Sequence, residues 1–297
     1  MKNFSLKLFK REPKLIMTLL ARDEDDIIRQ NIEFHLSRGV DFIIATDNAS
    51  SDNTREIFKE YQAKGKLFLI DEPGRDKSQA AWNNRMTKIA IDKYRASAVF
   101  HCDADEFWLS KSGNLKKDIF KTKEDVLIVD VINILLEDNN GKEFFPKDTK
   151  YIVLKPLESL TKEYELKNKN MYLFKYPPKV ILKTKGGVIE VTQGNHSIIN
   201  NNNKYEVANF TDIEVYHFPL RNRDRFFNKV IITGKAVEKN RLLTKDMSFH
   251  IRKWYDAYKN GKLEEEYKKL VIAKEEAEEL KKEGIIEDFS FEKLLKK

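Results

Sequence analysis

The sequence predicts an α/β protein in which a sheet is flanked by helices and followed by a helical C-terminal extension. Three observations lead there. Short apolar runs alternate with helix-period segments over the first hundred residues, the signature of βαβ units and a parallel sheet. Acidic and amide clusters fall just after those runs, where open α/β sheets bind ligands. From residue 221 the chain becomes helical again. The expected division is 1–235 for the main domain and 236–297 for the extension.

Leu15 to Leu20 reads as a buried strand. Asp23 to Asp26 supply acids suited to a helix N-terminus, where backbone N–H groups lack partners. The helix carries Ile27, Ile28, Ile32, Phe34 and Leu36 and stops at Gly39, a C-terminal glycine. Val40 to Ala45 is a second strand. The loop Asp47-Asn48-Ala49-Ser50-Ser51-Asp52-Asn53-Thr54 follows, with Asn53 and Glu56 spaced as a capping box. A helix with Ile57, Phe58 and Tyr61 ends before Gly65, Leu67 to Ile70 is a third strand, Ser78 to Tyr94 a third helix and Ala98 to Cys102 a fourth strand. Beyond Gly113 only Val126 to Val131 reads clearly as a strand. Residues 137–180 are polar and loop-rich, with four prolines, and Asn200 to Asn203 make a low-complexity turn. Leu263, Tyr267, Leu270, Ala273, Ala277 and Leu280 form a helical stripe, expected to pack on the core or on a second subunit.

Composition removes several classes. With 297 residues and one cysteine, no internal disulfide exists, which excludes a disulfide scaffold and favours a reducing compartment. An apolar share of 41% with 19 Phe excludes a wholly disordered chain. Neither Leu15 to Ala21 nor Val126 to Leu136 approaches the roughly 20 apolar residues that span a bilayer. Met1 to Arg11 is basic but leads into no signal core, so the expectation is a cytoplasmic protein. The net charge of +7 permits an anionic partner and selects none.

Two clusters carry chemistry. In Asp103-Ala104-Asp105, side chains at i and i+2 of a strand end point to one side. Two carboxylates so close repel and want a cation, and hard divalent ions such as Mg²⁺ or Mn²⁺ prefer oxygen ligands. The blander alternative is a polar turn facing water; the apolar strand before it and Glu106-Phe107-Trp108 after it weigh against that. Asp47, at the tip of the second strand, can accept from a base N–H or a ribose hydroxyl. Asp52 and Asn53 are assigned to capping. Cys102 alternates away from the Asp103 side and is expected to be buried and inert. His35, His101 and His250 are read as structural.

The order Arg22-Asp23-Glu24, then Gly39-Val40-Asp41 leading into Asp47-Asn48-Ala49-Ser50-Ser51-Asp52-Asn53-Thr54, then Asp103-Ala104-Asp105-Glu106-Phe107 resembles glycosyltransferase family 2 of the GT-A fold, in the branch related to family 92. The resemblance covers the first third closely and continues loosely into Gly194-Asn195-His196 and His217-Phe218-Pro219-Leu220-Arg221. One departure is Asp23, where that branch has Asn.

The resemblance implies a GT-A mixed sheet and sugar transfer from a nucleotide-linked donor, UDP-linked and with inversion, to a saccharide or glycolipid acceptor in surface polysaccharide synthesis. It implies Mn²⁺ or Mg²⁺ held by Asp103 and Asp105, with Ala104 at the donor and His217 as third ligand. Thr18, Ala21, Arg22 and Asp47 would hold the nucleoside, and Gln79, Trp82 and Arg85 would close over the donor. Arg221, Arg225 and Lys229 recur at i, i+4 and i+8, so they are expected on one helix face, with Arg221 and Lys229 favoured for the diphosphate. His196 is expected to touch substrate or metal. An inverting reaction needs a carboxylate base; Glu106, Glu190 and Asp212 are the candidates. Rival readings are another metal-dependent phosphate-handling enzyme, such as a nucleotidyltransferase, and a non-catalytic basic nucleic-acid-binding protein. The absence of a G-x-x-x-x-G-K loop disfavours nucleoside triphosphatases. Abundant Glu in the last helices disfavours strong attraction to anionic lipid, so any membrane contact at the inner face would be peripheral.

Overall fold

The computed structural model describes residues 12–74, 79–140, 142, 145–158, 170–186, 189–199, 204–239 and 249–296. The Asn200–Asn203 turn, the Ser78 start of the third helix and the Met1–Arg11 segment lie outside them.

The described chain runs β1 (Leu15–Ala21), α1 (Ile28–Ser37), β2 (Phe42–Asp47), α2 (Thr54–Ala63), β3 (Leu67–Asp71), α3 (Gln79–Asp92), β4 (Ala98–Asp103) and β5 (Glu106–Ser110). It continues through α4 (Leu115–Ile119), β6 (Val126–Val129), β7 (Val131–Leu136), β8 (Thr149–Val153), β9 (Lys179–Lys183), β10 (Glu190–Val191), β11 (Ile198–Ile199), β12 (Val207–Asn209) and β13 (Ile213–His217). It ends with α5 (Arg223–Lys239), α6 (Phe249–Lys259), α7 (Leu263–Lys268), α8 (Lys274–Lys282), β14 (Ile286–Asp288) and α9 (Phe291–Lys296).

A seven-stranded sheet has the order β12-β6-β9-β4-β1-β2-β3. Strands β1 to β4 are mutually parallel, as the alternating pattern predicts, but β9 enters antiparallel between β4 and β6 and makes the sheet mixed. A second sheet, β14-β8-β7-β13-β5, stands beside it, with a small β10-β11 ribbon. Asp130 divides the expected Val126–Val131 strand, so β6 joins the large sheet and β7 the other.

Strand alternation sorts side chains onto two faces. Leu15, Met17, Leu19, Phe100 and Cys102 enter the main core with Ile28, Ile32 and Phe58. Ile16, Ile44 and Val99 face α3 through Met86 and Ala90. Cys102 is buried, as expected. Gly39 adopts φ 94°, and a Cβ there would stand 2.6 Å from Asn114 Oδ1, so glycine ends α1 for both reasons.

The C-terminal stripe is interrupted. Leu263 and Tyr267 lie on α7 and Ala277 and Leu280 on α8, while the intervening Ile272 bonds both ways with the β7 edge, its N–H to Leu136 O at 2.9 Å and its carbonyl from Asp138 N at 2.8 Å. Backbone pairing with a strand overrides helix continuation there. The stripe still packs inward, with α5, α6 and residues 171–174, so core packing accounts for it. The boundary expected after residue 235 falls inside α5. Helix α9 returns to the first core through Phe291 and Leu294, with Arg38 donating to Leu295 O at 3.0 Å. No helix among the described residues is long and apolar enough to cross a membrane.

Candidate functional site

A cavity of about 930 Å³ opens beyond the carboxyl ends of β1, β2 and β4, and α5 and α6 wall its far side. Its charged lining includes Arg22, Asp23, Glu24, Asp103, Lys179 and Lys229. The convergence follows from parallel strands ending together on one edge.

The turn after β4 is built from behind. Asn31 Nδ2 donates to Ala104 O at 3.1 Å and Glu106 O at 2.7 Å, pinning the Asp103–Glu106 backbone to α1. His35 Nδ1 donates to Asn31 O at 2.8 Å, which leaves Nε2 to accept from Trp108 N at 3.1 Å. Asn31 was not among the expected site residues; its only signal is an amide on an otherwise apolar helix face.

Asp103 and Asp105 each meet cations. Asp103 Oδ2 accepts from Lys179 Nζ at 2.7 Å, and Gln79 Nε2 stands 3.5 Å from its Oδ1. Lys179 is 1% exposed and also lies 2.8 Å from Glu106 Oε1, close enough for an ion pair but misaligned for a hydrogen bond. Asp105, 5% exposed, has Lys229 Nζ at 3.5 Å and both His217 Nε2 and an Arg221 nitrogen at 3.9 Å. Burial works against its charge, but Lys229 and Arg221 outweigh it and hold its pKa well below the usual carboxylate range. Burial raises the pKa of Glu106, and neighbouring Asp103 and Asp105 add to the rise against the pull of Lys179. The pKa of Lys179 rises well above its ordinary value although burial opposes it, because Asp103 and Glu106 face it.

His217 is oriented by β7. Asn133 Nδ2 donates to Tyr172 O at 3.0 Å, so its Oδ1 must accept from His217 Nδ1–H at 2.9 Å. Nε2 is then a bare acceptor turned toward the Asp105 carboxylate. A ring nitrogen fixed through its other N–H, facing a carboxylate, is the donor arrangement of a metal-bound histidine. Asp105 and His217 therefore fit a cation that a substrate's oxygens and water would complete. No cluster of three or more His, Cys, Asp and Glu suited to a metal exists among the described residues.

The other expected residues divide between cavity and interior. Ala21, Arg22, Gln79, Trp82, His196, His217, Arg221 and Lys229 line the cavity. Thr18 does not; it is buried against His101 Nδ1, whose Nε2 reaches Thr87 Oγ1 at 3.2 Å, because its strand position faces α3. Ala104 is buried in the main core behind the turn. Asp47 is 2% exposed behind Asn48; its Oδ2 accepts from Ser50 N at 3.2 Å, and its buried Oδ1 has no hydrogen-bond partner among the described residues. Burial raises its pKa, despite the Ser50 bonds. Arg85 turns away to Glu72 at 2.8 Å. Glu106 is sealed under Lys179 and does not line the cavity. Glu190 is exposed on the β10–β11 ribbon, and Asp212 is on the surface, 3.5 Å from Lys111. None of the three expected base candidates faces the cavity.

Arg221 precedes α5 and is not on its face; Asn222 and the helix start at Arg223 separate it from Arg225 and Lys229. Its guanidinium nonetheless enters the cluster, bound to Glu24 and, at 2.9 Å, to Asp26 Oδ2. Arg225 takes Asp25, Asp52 and the Asp23 carbonyl instead. Asp23, at φ 55°, uses its carboxylate to accept from Ser51 N at 2.6 Å, so the residue departing from the family pattern ties two loops together. Asp52 Oδ1 accepts from Thr54 N at 2.9 Å and caps α2 as expected. Asn53 caps nothing with its side chain, which points to Asp25.

His196 donates Nδ1–H to Pro178 O at 3.0 Å, the carbonyl just before Lys179, and burial lowers its pKa. Tyr176 stands between His196 and His217, with ring centroids 5.8 and 4.7 Å away.

Burial pushes the pKa of His35 and His101 down to about 3 and that of His217 down to about 4. Each is neutral in the fold and protonates near pH 6.5 when unfolded, so the unfolded chain binds more protons between about pH 6.5 and 4. Stability is full above that window and falls within it, by about 2 kcal/mol per histidine at pH 5. The raised Glu24 and Glu106 act in the opposite sense and offset part of the loss. An NMR titration of the ring resonances is expected to show His35 and His101 uncharged at pH 5; protonation of either ring near pH 6.5 would contradict these buried neutral rings.

No protein-family model matches the chain. It is 33% identical over 150 residues to an uncharacterised glycosyltransferase of Methanocaldococcus jannaschii, an alignment that covers 47% of this chain and 49% of that protein. The chain thus spans about half the length of the curated relative it matches. Among solved structures, S. aureus TarS 1–349 overlaps at a TM-score of 0.42 with 15% identity, covering 77% of this chain and 67% of that one. The same segment in complex with UDP-GlcNAc overlaps at 0.44 with 14% identity, covering 77% and 68%.

Proposed function

We propose that the chain is a metal-dependent glycosyltransferase of GT-A type, drawing on a UDP-linked sugar and acting on a saccharide or glycolipid acceptor in surface polysaccharide synthesis, in the cytoplasm or at the inner membrane face. The observation that carries this is a 930 Å³ cavity beyond the sheet whose lining brings Asp103, Lys179, His217, Arg221 and Lys229 together, with Asp105 buried just behind the last three. A curated glycosyltransferase relative over 150 residues supports it. The volume suits a ligand of nucleotide-sugar size.

Asp105 and His217 would hold Mn²⁺ or Mg²⁺ with oxygens of the donor and water, and Asp103 would reach the same ion only by turning from Lys179. The ion supplies positive charge where the anomeric C–O bond breaks and negative charge gathers on the departing diphosphate. Lys229, half exposed and 3.5 Å from Asp105, would add a second cation there. Asn133 keeps the His217 ring in place, and Gln79 and Trp82 cover the cavity from α3. Ala21 and Arg22 border the nucleoside end, with Asp47 behind them.

Nucleotide release separates this reading from its rivals. UDP-, GDP- and CMP-sugars are incubated with the protein and Mn²⁺ beside nucleoside triphosphates. The expected result is release from one nucleotide sugar, stopped by excess chelator. Turnover of triphosphates alone would replace the proposal with a nucleotidyltransferase or phosphohydrolase. No turnover, with salt-sensitive nucleic-acid binding indifferent to Mn²⁺, would replace it with a nucleic-acid binder.

A further inference from the structure

We infer that Lys179 is a built-in cation of the cavity that binds the diphosphate of the donor directly, an inference that rests on the nucleotide-sugar reading above. Lys179 opens β9, which runs antiparallel beside β4 and so sets the side chain next to the end of that strand. Lys179 lines the cavity although its side chain is 1% exposed, and Asp103, the acid its ammonium bonds, also lines the cavity and is one-third exposed. His196 fixes the peptide before it through the Pro178 carbonyl.

An ammonium has three N–H donors. One goes to Asp103 Oδ2, and Glu106 Oε1 draws a second without good alignment. Placing a lysine here, out of water, is costly unless its charge stays paired. That pairing is exchangeable on the cavity side. When Asp103 turns to a divalent ion, a diphosphate oxygen is an equivalent anionic acceptor for the vacated N–H. The exchange leaves the ammonium neutralised throughout, with Glu106 as its fixed partner behind. Two cations then meet the diphosphate from opposite sides: Lys179 from the sheet and Lys229 from α5.

Calorimetric titration tests this on the full chain, with UDP and uridine as probes, in Mn²⁺ and in excess chelator. Lys179→Met alone strands two carboxylates, so the comparison is Glu106→Gln against Glu106→Gln/Lys179→Met, which removes cation and buried counter-charge together. In Mn²⁺, UDP is expected to bind the double variant at least roughly tenfold more weakly than the single one, the scale of one charge-assisted hydrogen bond, and in excess chelator, where Asp103 keeps its lysine, the difference is expected to shrink. Uridine affinity is expected to stay within about twofold, since it lacks phosphate. Equal losses for UDP and uridine, or no loss for either, would overturn the inference and leave the functional reading standing. Failure of the wild-type chain to bind UDP, GDP or CMP would overturn the functional reading and this inference with it.

Discussion

Asp105→Asn is expected to lower the proposed sugar transfer by about 10²–10³-fold at saturating donor while the fold persists. The amide keeps the shape of the acid, and the Asp105 bond that organises the next segment comes from its backbone carbonyl, which accepts from Phe218 N at 2.8 Å. What is lost is the charge between His217, Arg221 and Lys229. The measurement is initial-rate product release, with circular dichroism to show the fold. Transfer at the wild-type rate would remove Asp105, and the ion it is proposed to hold, from the mechanism.

Arg221→Met costs about 3–5 kcal/mol of stability, because removing one partner of a buried ion cluster leaves the others uncompensated. Arg221 is buried and bound to both Glu24 and Asp26, and it ties the segment entering α5 to the loop after β1. Burial already raises the Glu24 pKa, and Arg221 is the first group lowering it. Glu24→Gln in the Arg221→Met background is therefore expected to recover part of the loss. Guanidinium denaturation checks both variants; a loss under about 1 kcal/mol for Arg221→Met would show that the cluster is not a structural tie.

The legible part of this site is the part that lies next to a strand end in sequence. Ala21, Arg22 and Asp103 follow apolar runs, and parallel strands bring such ends to one edge whatever the register. The resemblance places Thr18 with the nucleoside, but nothing in the sequence tells which face of β1 is covered by α3, and Thr18 lies on that face. The basic triad was misplaced because Arg221 is two residues outside the helix whose face it was given. Lys179 was invisible for another reason. It begins a strand 76 residues after Asp103, inside a proline-rich stretch that reads as loop, and only the antiparallel insertion of β9 beside β4 makes them neighbours. Glu190 and Asp212 were chosen by residue type alone, and long-range topology leaves both on the surface. The same limit explains the division between β6 and β7, where a single Asp130 sends two consecutive strands to different sheets.

The most direct test is a crystal structure of the protein with Mn²⁺ and an unhydrolysed nucleotide sugar. The account predicts the diphosphate beside Asp103 and Asp105, the ion touching Asp105 Oδ2 and His217 Nε2, and the nucleoside toward Ala21 and Arg22. A nucleotide bound elsewhere, or seated in the cavity with its phosphates away from both aspartates, would contradict it.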